Sequence, residues 1–150
     1  MATSGVEPAV MVGIDGAFVE IVESLSSERI WEVLIDKIQH PNSYLPVTDV
    51  KCRVSDDGLG TYREMTFISS GNIIIENIYA DREIFEVKFV VKDDEKEHVN
   101  IILTSAETGQ RRLEFYARHS VTKERVFWSA PRLLAIGGIN KVLEKARQAI

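Results

Sequence analysis

Two hydrophobic periods divide this chain. Ala17–Glu23 reads as a strand that ends at Ser24-Leu25-Ser26-Ser27. A serine hydroxyl at such a place accepts an open N–H of the first turn of a following helix. That helix is predicted over Glu28–Gln39, where Ile30, Trp31, Leu34, Ile35 and Ile38 form one stripe of a 3.6-residue repeat. His40-Pro41-Asn42 stops it, because the residue before proline is steered away from helical angles.

The period then changes to two. β-branched and aromatic residues mark strands at Val47–Ser55, Thr61–Ile68, Asn72–Tyr79, Ile84–Val91, Val99–Thr104 and Arg111–Val121. Their separators are short and rich in turn formers, such as Asp56-Asp57-Gly58 and Ser69-Ser70-Gly71, so an antiparallel meander is expected. Leu133, Ile136, Ile139, Leu143, Ala146 and Ile150 restore helical spacing at the end. The fold class expected is α+β: a curved antiparallel sheet of about seven strands wrapped around a long C-terminal helix. No repeat or linker divides the chain, so residues 17–150 read as one domain behind a mobile lead-in over 1–16. Sheet and helix need not close fully on each other, and a cavity is expected between them.

Composition limits the partners. The chain has 150 residues, 45% hydrophobic and 27% charged, enough for a core and against disorder. Its 18 basic and 23 acidic residues give a net charge of −5, which argues against nucleic acid as partner. No basic residue precedes Arg29 and no apolar run nears the ~20 residues of a membrane span, so a cytoplasmic protein without integral membrane association is expected. Lone Cys52, alternating with Val50 and Val54, reads as a buried inert thiol. The three histidines lack ligand spacing, and no phosphate loop or nucleophile elbow is present, so no metal or cofactor is expected.

Alternation assigns the cavity wall. Arg63, Met65 and Phe67 share one face, as do Phe85, Val87 and Phe89, and Phe115 shares its face with His119. Arg63 has two readings. Either it reaches solvent at a sheet edge, or it is buried against Glu76, which lies directly opposite if the turn is Ser69-Ser70. A buried pair of this kind orients a carbonyl, phenolate or carboxylate. His119 is an acid or base candidate, or a hydrogen-bonded histidine at the rim. His40 and His98 read as structural or solvated. Asn100 is a candidate hydrogen-bonding group; Trp128, ahead of Pro131, is a lid or core residue. Leu134 belongs to the terminal helix, whose Gly137-Gly138 either weakens it or leaves room for a ligand.

This order of elements resembles the helix-grip superfamily (SRPBCC) of START domains, Bet v 1-like proteins and polyketide aromatase/cyclases. Within it, Tyr62–Phe67 (YREMTF) and Val99–Ser120 (VNIILTSAETGQRRLEFYARHS) look most like the AtaL-like family. The resemblance implies a cavity that binds a small hydrophobic or aromatic molecule, such as a lipid or polyketide. Two alternatives stand beside it: a cyclase, dehydratase or isomerase using Arg63, Glu76 and His119, and a chaperone-assisting interaction domain.

Overall fold

The computed structural model describes residues 10–12, 16–127 and 132–148, with the backbone alone at 11, 12 and 132–134. Strands β1 (Met11–Val12) and β2 (Gly16–Ile21) precede helix α1 (Ser27–Gln39). Ser26 stands in extended backbone and its hydroxyl accepts the Arg29 N–H at 3.1 Å, satisfying a donor that every helix start leaves open. The His40 N–H closes the helix on the Asp36 carbonyl, and Pro41 opens a single 3-10 turn over Pro41–Ser43. Six strands follow, β3 (Val47–Val54), β4 (Thr61–Phe67), β5 (Ile73–Asp81), β6 (Glu86–Val91), β7 (Lys96–Thr104) and β8 (Arg111–His119), and then helix α2 (Arg132–Arg147).

All neighbours pair antiparallel, in the order β1-β2-β8-β7-β6-β5-β4-β3. β3 to β8 form the meander, and β2 returns to lie beside β8. The β4–β5 hairpin turns through Gly71, whose φ of 74° is costly for any residue with a Cβ, and this register sets Arg63 directly opposite Glu76. On the β3 edge the register shifts between Thr48 and Lys51, at a bulge where Asp49 has φ 54°.

The core fills the space between one sheet face and both helices. Val19 of β2, Leu113 and Phe115 of β8, Ile30 and Leu34 of α1, and Ile139 and Val142 of α2 meet there. On the other face Val99, Ile101 and Tyr116 make a smaller cluster. Beside it Arg118 bonds Glu86 and Glu97, and Lys123 also bonds Glu97.

The expected architecture needs correction. Helix α2 spans 16 residues, about 24 Å at the usual rise, and its principal neighbours are α1, β2 and β8, at one side of the sheet. No long helix is wrapped by the sheet. The sheet is open, with eight strands counting two-residue β1, and two short helices share its apolar face. The cause lies in α1, which buries Ile30, Trp31, Val33, Leu34, Lys37 and Ile38 and so takes over much of the covering assigned to the last helix. The buried stripe of α2 also differs, running through Ala135, Ile139, Val142, Leu143 and Ala146 with Ile136 only half-buried. Met11 and Val12 pair with Phe18 and Ala17, so the lead-in contains a strand; residues 1–9 and 13–15 lie outside the described residues. Among the described residues no helix is long and apolar enough to cross a membrane.

Candidate functional site

Arg63 is 2% exposed, which removes the reading that places it in solvent. Its Nε donates to Glu76 Oε1 at 2.9 Å, and Nη2 bonds the same oxygen. Nη1 donates to the main-chain carbonyls of Lys37 and Ile38, both at 3.1 Å. Those carbonyls belong to the last turn of α1, where a helix has acceptors without internal partners and the negative end of its dipole. One guanidinium therefore ties helix to sheet and answers a buried carboxylate. Both Arg63 bonds to Glu76 fall on Oε1, and Oε2 has no hydrogen-bond partner among the described residues.

Lys37 comes from the same turn. It stands at i+7 from Ile30 on the buried stripe and is 6% exposed. Its Nζ donates to Asn100 Oδ1 at 2.9 Å and lies 4.4 Å from the Phe115 ring centroid and 5.6 Å from that of Phe89. Burial, reinforced by the Arg63 charge and partly opposed by Glu76, lowers its pKa from 10.5 to about 7. A large share of the side chain is then uncharged amine at neutral pH.

These groups open onto a cleft of about 200 Å³. Leu45, Met65, Phe67, Ile74, Phe89, Val91, Phe115, Ala135 and Gly138 form its apolar wall, and Lys37, Arg63, Glu76, His98 and Asn100 are its polar groups. A Cβ added to Gly138 would lie 3.6 Å from Phe115 Cε2, so the absent side chain of α2 leaves that wall open. Burial pushes the half-buried His98 imidazole down from its ordinary pKa, which favours its neutral form. The volume is smaller than the ~300–1,000 Å³ of drug-sized sites, so the space suits a guest of about one ring. Among the described residues no cluster of His, Cys, Asp and Glu is arranged to hold a metal ion.

No family model matches the chain, and no curated protein matches it. Solved structures do match. The protein TTHA0849 of Thermus thermophilus superimposes with a TM-score of 0.50 at 14% identity, covering 87% of this chain and 93% of that one. The protein CV1439 of Chromobacterium violaceum gives a TM-score of 0.51 at 12% identity, covering 91% of this chain and 97% of that one. The likeness is one of fold alone.

Of the residues singled out in the sequence, Arg63, Met65, Phe67, Glu76, Phe89, Asn100, Phe115 and Gly138 line this cleft. Val87 is instead fully buried in the core, and Phe85 packs against it, edge-on to Trp31 with ring centroids 5.9 Å apart. His119 is held elsewhere. Its Nδ1 accepts the backbone N–H groups of Val121 at 3.1 Å and Thr122 at 3.2 Å, which makes it part of the turn after β8. Gly137 is exposed, with open space where a Cβ would stand. Trp128 and the side chain of Leu134 lie outside the described residues. Cys52 is half-buried at the β3 edge, 3.8 Å from the Ile38 carbonyl, rather than enclosed, and burial raises its pKa.

Lys37 and His98 are the functional groups that sequence patterns miss. The charges around His98 suggest a turn, yet β7 begins at Lys96 and alternation from Asn100 carries the imidazole onto the cleft face. The signal for Lys37 is its place on the Ile30–Leu34 stripe, three positions beyond Leu34.

Proposed function

We propose that the protein binds a small, mainly apolar molecule of about single-ring size, whose one polar group meets Lys37, Asn100 and His98. The observation that carries this reading is the convergence of buried polar groups on an apolar cleft. A packed core has no use for Lys37 beside Asn100 and two aromatic rings, whereas a binding site needs a few polar groups in a greasy wall to orient its guest. The size of the space favours a ring over a lipid chain or a polyketide. The proposal includes a cytoplasmic location, supported by the single cysteine and the charge of −5.

The test is thermal shift with a set of single-ring apolar compounds, run on the wild type and on Gly138→Leu. The added side chain points toward Phe115 and fills the cleft from the helix side. Members of the set raise Tm in the wild type and lose at least ~10-fold in affinity in the variant. A wild type that responds to none of them overturns the reading.

A further inference from the structure

Arg63 commits its donors to Glu76 and to two carbonyls of α1, which leaves it little capacity to hold a guest. Lys37 differs. Its Nζ makes one hydrogen bond, to Asn100 Oδ1 at 2.9 Å, and is otherwise bordered by the Phe115 and Phe89 rings and the cleft. The charged and titratable groups around the cleft are Arg63 on β4, Glu76 on β5 and His98 on β7, while β6, β8 and α2 present Phe89, Phe115, Ala135 and Gly138. The nearby cation and the desolvation both disfavour a protonated amine, and the Asn100 carbonyl fixes the direction of one N–H without supplying a negative charge.

We propose that the Lys37 amine forms a reversible Schiff base with the aldehyde or ketone group of the molecule seated in the cleft. This rests on the binding reading above and narrows the guest to carbonyl compounds. The nitrogen lone pair forms the N–C bond, and one amine hydrogen passes to the carbonyl oxygen to give a carbinolamine. The C–O bond then breaks as the C=N bond forms. The second amine hydrogen leaves with that oxygen as water, and nothing is oxidised or reduced. The neutral amine required for attack is the form that the lowered pKa supplies, as in other desolvated nucleophilic lysines. The His98 imidazole, on the same wall of the cleft, relays the protons.

The experiment traps the imine in the wild-type protein with benzaldehyde and sodium cyanoborohydride at pH 7, and locates benzyl groups by peptide mass spectrometry. Lys37 is labelled at least ~10-fold faster than the exposed Lys51 and Lys92, because a pKa near 7 in place of the ordinary 10.5 raises its neutral fraction. Asn100→Asp places a carboxylate beside Nζ, returns the proton, and slows Lys37 labelling at least ~10-fold while Lys51 is unaffected. Labelling of Lys37 no faster than of Lys51 and Lys92, or unchanged in Asn100→Asp, overturns the proposal. Benzyl alcohol, which has no carbonyl, separates the two readings by ligand-observed NMR. Bound benzyl alcohol without preferential Lys37 labelling sinks the Schiff base and leaves the binding site standing. Failure of both compounds to bind removes both.

Discussion

Lys37 and Arg63 are two buried cations with one buried carboxylate, Glu76, between them. Arg63 resolves this by pairing; Lys37 resolves it by giving up its proton near pH 7. Arg63→Met leaves Glu76 buried without its partner and frees two helix carbonyls, at a cost of about 3–5 kcal/mol in urea unfolding. Replacing Glu76 by Leu at the same time recovers part of that loss, since both charges then leave the interior together. Lys37 produces a pH signature. The unfolded chain holds this proton more tightly than the folded one, so the Lys37 contribution to stability rises between pH 7 and 10.5 and is flat below, where both states are protonated. The slope contributed is at most about 1.4 kcal/mol per pH unit, and Lys37→Met abolishes it when unfolding free energies are measured at pH 7, 8 and 9. Arg63 was legible in the sequence because a charge in an alternating apolar strand is conspicuous. Lys37 was not, because lysines beside a helix stripe usually extend their ammonium into water and its burial depends on strands far along the chain.

Helices and strands were legible in unequal degree. The meander followed from period-two runs and short turns. The start of β7 did not, because Lys96-Glu97-His98 reads as a solvated tip; Glu97 is 2% exposed only because Arg118 and Lys123 close on it. In α2 the Gly137-Gly138 pair reads as one feature, yet the helical repeat turns the first to solvent and the second to Phe115. Their substitutions therefore part ways. Gly137→Ala meets no neighbour and restricts the unfolded chain, so it stabilises by about 1 kcal/mol and raises Tm by a few degrees in calorimetry. Affinity for the single-ring compounds proposed to bind the cleft is unchanged, in contrast to Gly138→Leu.

For the whole molecule, the site depends on how two helices divide one sheet face. Helix α1 brings Lys37 and receives Arg63, while α2 withholds a side chain at Gly138, and the cleft is the remainder. That partition was out of reach of periodicity, which reports that a helix has an apolar stripe but not which neighbour it meets. An open sheet carries another consequence. Its β3 border exposes Thr48, Asp49, Lys51 and Arg53, and the bulge at Asp49 interrupts the row of main-chain donors and acceptors. A second molecule approaching that border meets charged side chains and a broken ladder, so the rim is protected against end-to-end stacking into fibrils.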